Sequence, residues 1–200
     1  MNLRDYERES IRAFVRRAAD DGYLSGRVLD YGCGRQPYRD IVEEAGGTYE
    51  GFDRAEYGGA LAGVGDVGAD WQYRQDDQFD SILCTQVVQY LPVAKNPGYA
   101  EHIPFIFHGW AETLTTARLH GNAGWLVLTY PTNWPEVEAE DLHRFTKAGM
   151  ERLLTEAGFE IVRHERRGTL YDARFPSGRE KRITATADEF AIGYGVVARA

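Results

Sequence analysis

The chain has 200 residues, 43% hydrophobic and 27% charged, which describes one globular core and excludes a disordered chain or a disulfide-stapled miniprotein. A balance of 23 basic against 31 acidic residues leaves a net charge of -8, so the surface as a whole repels phosphate and disfavours non-specific duplex binding. No apolar run approaches the roughly 20 residues that cross a bilayer. The charged opening MNLRDYERES is not expected to act as a secretory signal, and Cys33 and Cys84 supply neither a disulfide framework nor a metal-ligand spacing. A reducing, cytoplasmic setting is expected.

Ile11, Phe14, Val15 and Ala18 fall on one helical stripe and predict an amphipathic helix over about residues 5–20, within an N-terminal segment of residues 1–22. Arg4, Arg8, Arg12 and Arg16 are interleaved with Asp5 and Glu9 and read as a solvated face, as do the arginines of residues 163–182 with Glu165 and Glu180. Residues 27–31 (RVLDY) are a short apolar run bounded by glycines, which reads as a buried strand. Tyr38, Ile41, Val42 and Ala45 repeat the helical stripe until Gly46 and Gly47 stop it. Residues 49–53 form a second strand, and residues 55–68, rich in glycine and without a period, read as loop with room for a short helix.

Residues 79–84 form a third apolar strand. Residues 92–104 hold three prolines in a loop longer than such connections usually need. Phe107, Ala111, Leu114 and Ala117 mark a helix, and residues 125–130 are the strongest strand in the chain. Thr146 N-caps a helix carrying Met150, Leu153, Leu154 and Ala157, and Gly158 ends it. Residues 159–164 and 190–198 close the chain as strands. The alternation predicts one domain over residues 1–200, a doubly wound α/β sheet whose last two strands make an antiparallel edge.

Chemistry concentrates in Val28-Leu29-Asp30-Tyr31-Gly32-Cys33-Gly34. Two glycines directly after a buried strand let the backbone turn tightly and approach a ligand with no Cβ in the way. A dinucleotide is opposed twice: Pro37 stands where a third glycine is needed, and the Asp30 carboxylate would repel a pyrophosphate. That carboxylate suits an ammonium group instead. S-adenosylmethionine carries an amino-acid ammonium and a nucleoside without phosphate. Asp53, nineteen residues after Gly34, ends the second strand where a carboxylate can hold both ribose hydroxyls. Asp66 and Val67 offer an acceptor and an apolar wall to adenine, with Asp70 competing for the polar role. The strand ending Cys84-Thr85-Gln86 lies on the other side of the pocket.

Together these segments resemble the class I S-adenosylmethionine-dependent methyltransferases, in a methyltransferase-11-like branch. VLDYGCG is similar to the first motif of that family, YEGFD to its acidic second motif and FDSILCTQVVQYL to its strand-four motif. Asp141-Leu142-His143-Arg144-Phe145-Thr146 with GMERLLTEAGFEIV resembles its post-motif segment, so the likeness spans about residues 10–165. The resemblance implies a Rossmann-like, mostly parallel seven-stranded sheet with an antiparallel terminal strand and helices on both faces. It implies S-adenosylmethionine as cofactor, S-adenosylhomocysteine as product, and cofactor contacts from Asp30, Tyr31, Gly32, Cys33, Gly34, Phe52, Asp53, Asp66, Val67, Cys84 and Thr85. The chain departs from the branch at Gln89 and Tyr90, where a Glu-His pair is common. Residues 92–104 are long for the branch and residues 168–186 have no counterpart; both are expected to border the acceptor pocket and to be more mobile than the sheet.

Methyl transfer from a sulfonium is an in-line displacement, so the enzyme's main task is to orient the nucleophile. A base is needed only where the acceptor must lose a proton. His143 is the candidate base, in the region after the 125–130 strand where class I methyltransferases place acceptor-binding residues. Tyr130, Trp134 and Asp141 are candidate acceptor walls, and His102 and His108 flank the long loop. No Asp/Asn-Pro-Pro-aromatic follows FDSILC, Leu83 replaces the proline of a Pro-Cys pair, and Cys84-Thr85-Gln86 lacks the acidic ligands a divalent metal wants. The expected activity is methylation of a small molecule, on oxygen rather than nitrogen. The alternatives are a nucleic-acid or nucleotide methyltransferase using the arginine-rich segments, and a non-catalytic cofactor-binding subunit.

Overall fold

The structure, a computed structural model, describes residues 3–54, 63–64, 79–91, 102–136, 141–169 and 191–200. Helix α1 (Leu3–Asp20) leads into strand β1 (Arg27–Tyr31), helix α2 (Arg39–Glu44), and strands β2 (Thr48–Asp53), β3 (Gly63–Val64) and β4 (Ser81–Thr85). A 3-10 turn (Val88–Tyr90), helix α3 (Ile103–Leu119), strand β5 (Trp125–Pro131), helix α4 (Lys147–Glu156) and strands β6 (Glu160–Arg166) and β7 (Gly193–Arg199) follow.

The seven strands make one sheet in the order β3-β2-β1-β4-β5-β7-β6. β1 pairs in parallel with both β2 and β4, β2 with β3, and β4 with β5, while β7 runs antiparallel to β5 and β6. The chain winds outward from β1 through β3 and returns to the other side of β1 with β4. Such a reversal opens a crevice at the carboxyl ends of the strands on either side of it, where ligands of doubly wound sheets bind.

Two local expectations change. Gly63–Val64 pairs with the end of β2 inside a region read as loop. Pro104 lies in the first turn of α3, where its missing N–H has no partner to lose, and His102 caps that turn. The last two strands form the antiparallel edge that the sequence predicts, with β7 between β5 and β6 and β6 outermost.

Alternation along the strands divides the core into two layers. Val28, Leu83, Val127 and Val197 pack against Ile11, Phe14, Val15 and Ala18 of α1 and Ile41 and Val42 of α2. Leu29, Ile82, Leu126 and Leu128 pack against Ile106, Phe107, Trp110 and Leu114 of α3 and Met150 and Leu154 of α4. A Cβ at Gly195 would lie within 2.5 Å of the Phe14 ring, so the small residue in β7 is what lets α1 sit down on the sheet. The polar side of α1 is laced to its surroundings by ion pairs Arg12–Asp40, Arg16–Glu44 and Arg17–Glu165. These are exposed pairs and each adds little to stability, but they occupy arginines that a phosphate backbone would need. Among the described residues no helix is long and apolar enough to cross a membrane.

Candidate active site

The turn after β1 is sewn to the end of β2. The Gly32 and Cys33 N–H groups donate to the Phe52 carbonyl at 2.9 and 3.2 Å, and the Gly34 N–H donates to Asp53 Oδ2 at 2.6 Å. The two glycines serve different ends. Gly32 (φ 75°) has Val87 where a Cβ would go, so it is a packing requirement; Gly34 (φ 51°) has open space there, so its backbone can be approached closely. Gln36 (φ 58°) and Gln86 (φ 56°) adopt the left-handed region without being glycine, one just beyond this turn and one after β4. Strain of that kind gathers at ligand sites.

Asp30 is fully buried and accepts a 2.5 Å hydrogen bond from the Tyr49 hydroxyl at Oδ2, while Oδ1 has no partner among the described residues. Burial pushes its carboxyl up from 3.8 to about 7; the Tyr49 bond opposes the shift and the charge of Asp53 adds to it. A buried carboxyl with one unpartnered oxygen beside an approachable glycine turn fits an ammonium group. Asp53, 5% exposed, also accepts from the Arg54 N–H at 2.7 Å. Tyr31 and Phe52 stack in the α3-side core with ring centroids 5.6 Å apart, so their side chains pack there and their main chains shape the turn. Cys33 and Cys84 are likewise core thiols, Cys33 pushed by burial to about 12 and Cys84 well above its ordinary value, so neither is a reactive thiolate. Thr85 shares a hydrogen bond with the Tyr38 hydroxyl. Asp66, Val67 and Asp70 lie outside the described residues.

In the segment after β5, where the sequence suggested acceptor contacts, His143 Nε2 is buried and has no partner among the described residues. Burial lowers the pKa of the ring below 6.5, against the pull of Asp141. Asp141 is committed to a two-oxygen ion pair with Arg144, whose guanidinium also donates to the carbonyls of Trp134 (3.0 Å) and His143 (2.8 Å). The pair therefore clamps the turn that carries His143, and Trp134 takes part through its carbonyl. Tyr130 is placed differently from an acceptor wall. It is fully buried on the α4 side, its hydroxyl 2.8 Å from His164 Nε2, and His164 Nδ1 stands 2.8 Å from Glu151. The reason is register: Tyr130 shares its face with Leu126 and Leu128, which point into that core. His108 is exposed on α3, and of residues 92–104 and 168–186 only 102–104 and 168–169 are described.

Three polar residues packed near these segments were not expected there. Arg167, in the arginine-rich stretch read as a solvated face, is 3% exposed and donates to the carbonyls of Tyr194 and Tyr130 and to Ser10 Oγ on α1. Burial lowers its pKa to about 10, which leaves it cationic at neutral pH. Glu7 on α1 lies in the field of Arg167 and Arg144, its carboxyl raised by burial and held back by those arginines. Gln89 is buried beside His143. A signal for Glu7 existed, since it continues the Ile11, Phe14 and Ala18 stripe toward the helix N-terminus; Arg167 had none.

A family model described as a methyltransferase domain matches residues 3–164, and the chain belongs to that family. Its fold and motifs place it in the class I group, whose methyl donor is S-adenosylmethionine. No curated protein matches by sequence. Among solved structures, an S-adenosylmethionine-dependent methyltransferase from Archaeoglobus fulgidus superposes with a TM-score of 0.65 at 15% identity, over 96% of this chain and 94% of that one. Human N-acetylserotonin methyltransferase, in complex with S-adenosylmethionine, gives 0.57 at 13% identity over 94% of this chain and 50% of its own. Magnesium protoporphyrin IX methyltransferase from Synechocystis, with bound S-adenosylhomocysteine, gives 0.51 at 16% identity over 98% and 84%. At these identities the likeness is one of fold.

Proposed function

We propose that this chain methylates a hydroxyl of a small-molecule acceptor, with His143 as the group that takes the hydroxyl proton. The observation that carries the reading is the buried Nε2 of His143, which has no partner among the described residues. S-adenosylmethionine supplies an electrophilic methyl group when bound. Asp30 would hold its ammonium, the Gly32–Gly34 main chain its amino-acid portion and Asp53 its ribose hydroxyls, with Asp66, Val67 or Asp70 toward adenine and the main chain of Cys84 and Thr85 closing the far side. Because burial depresses its pKa, His143 is neutral at pH 7 and able to accept a proton. The Asp141–Arg144 clamp keeps the His143 turn in place, so the nucleophile is oriented as its proton leaves. The cysteine usage agrees with a cytoplasmic setting.

The test is product formation over paired hydroxyl and neutral-amine acceptors as a function of pH. With a hydroxyl acceptor, kcat/KM should rise with pH to a plateau reached through an apparent pKa below 6.5, and His143→Ala should remove that limb. Turnover confined to amines and indifferent to His143→Ala would contradict the assignment.

A further inference from the structure

Two buried polar atoms on the acceptor side lack partners among the described residues: Gln89 Oε1 and His143 Nε2. Their residues meet at one junction, because the Gln89 carbonyl accepts from the backbone N–H groups of both Leu142 (2.9 Å) and His143 (3.1 Å). The Gln89 amide is held in one orientation. Its Nε2 donates to the Gln86 carbonyl at 2.9 Å, a contact only the nitrogen can make, so the oxygen is the atom left over. Gln86 is itself pinned to β5: its N–H donates to the Thr129 carbonyl at 3.1 Å and its Nε2 to Thr129 Oγ1 at 3.2 Å. A left-handed backbone at Gln86 completes the arrangement.

Thr129, Gln86 and Gln89 thus form a relay whose last member presents an oxygen that nothing in the described protein satisfies. A buried acceptor without a donor is destabilising, and an apolar side chain of similar size would fill the place at no such cost. The relay is therefore poor as scaffolding and well suited to a ligand. An amide oxygen only accepts, and a base nitrogen about to take a proton also accepts. The two residues share that backbone junction, and two acceptors serving one ligand call for two neighbouring donors on it.

Building on the hydroxyl-methylation reading, we propose that Gln89 determines acceptor specificity. Its Oε1 accepts a hydrogen bond from a donor adjacent to the reacting hydroxyl, so the acceptor is a vicinal donor pair of the 1,2-diol or catechol class, methylated on one oxygen. The reacting hydroxyl gives its proton to His143 Nε2, and its oxygen forms the new bond to the methyl carbon. The electron pair of the breaking sulfur–carbon bond stays on sulfur, leaving the neutral thioether. The neighbouring hydroxyl keeps its proton and donates it to Gln89 Oε1.

The experiment saturates the full chain with S-adenosylhomocysteine and measures binding of catechol against phenol, and of cis-1,2-cyclohexanediol against cyclohexanol, by calorimetry. In at least one pair the diol should bind about 10- to 100-fold more tightly than the mono-ol, the range expected when a buried oxygen gains or lacks its donor. Gln89→Met should shrink that preference to within about threefold while mono-ol and S-adenosylhomocysteine affinities hold. Gln89→Asn, which draws the oxygen back by one methylene, gives the same reading should the Met variant not fold. Equal binding of diol and mono-ol, a preference that survives both variants, or no binding of any of the four to the loaded protein overturns the proposal. Failure of S-adenosylhomocysteine itself to bind would instead sink the methyltransferase reading on which the proposal rests.

Discussion

The two sides proposed for this site, one toward the cofactor and one toward the acceptor, are built on opposite plans. On the cofactor side the shape is made by main chain: the turn is stitched to β2 through Phe52 and Asp53, and one carboxylate oxygen of Asp30 is left over. On the acceptor side the shape is made by side chains, in the Thr129–Gln86–Gln89 relay and the Asp141–Arg144 clamp. A main-chain site tolerates few substitutions, because it depends on glycine conformations that no other residue adopts cheaply. A side-chain site can be altered one residue at a time without disturbing the sheet beneath it. The division lets one cofactor cradle serve many acceptors, which is why fold alone leaves the acceptor open.

Variants on the two sides should therefore separate cleanly. The largest effect is expected at His143: replacement by alanine should lower turnover of a hydroxyl acceptor by about 10²–10⁴-fold, with cofactor affinity nearly unchanged. Rapid-quench turnover together with calorimetry distinguishes this from a loss of folded protein. Gly34→Val acts on the other side, forcing a β-branched residue into a left-handed conformation and filling the open approach. Cofactor affinity should fall at least about tenfold, while thermal unfolding shows the sheet still formed.

A pH series sharpens the same contrast at Asp30. In the empty protein its carboxyl titrates near 7 because it is buried, and only the ionised form attracts an ammonium. Cofactor affinity should rise by up to about tenfold per pH unit as pH climbs toward 7, and level off above it. In the empty fold the sign is reversed. The raised carboxyl favours the folded state when protonated, so its contribution is lost as pH rises from about 4 through 7. An affinity flat from pH 5.5 to 8 would remove Asp30 from the ammonium site. The smallest effect belongs to Tyr130→Phe, which should cost about 1 kcal/mol in urea unfolding through the lost His164 bond. Acceptor turnover should stay within about twofold, and a tenfold loss in a stable variant would return Tyr130 to the acceptor wall.

What could be read in the sequence follows the same line. The turn after β1 and the place of Asp53 at the end of β2 were legible because they depend on one strand end and a short spacing, and the α1 stripe because a helix repeats locally. Arg167 was not. Its burial arises from donors reaching carbonyls of Tyr130 and Tyr194 and the hydroxyl of Ser10, partners far away in the chain. The position of β7 between β5 and β6 escaped for a similar reason, since alternation marks a strand without naming its neighbours. Tyr130 shows a signal present and unused: the two-residue period that makes 125–130 a strand already puts Tyr130 with Leu126 and Leu128, inside the core. At Gln89 the sequence showed only a departure from a common pair. Its meaning needed the oxygen left over once Gln86 had taken the amide nitrogen.

The most direct test of the account is calorimetric titration of S-adenosylhomocysteine into the wild-type protein, Gly34→Val and His143→Ala, each confirmed folded. Wild type should bind saturably and one to one, His143→Ala with the same affinity, and Gly34→Val far more weakly. No heat from the folded wild-type protein, or equal binding of NAD, would contradict it.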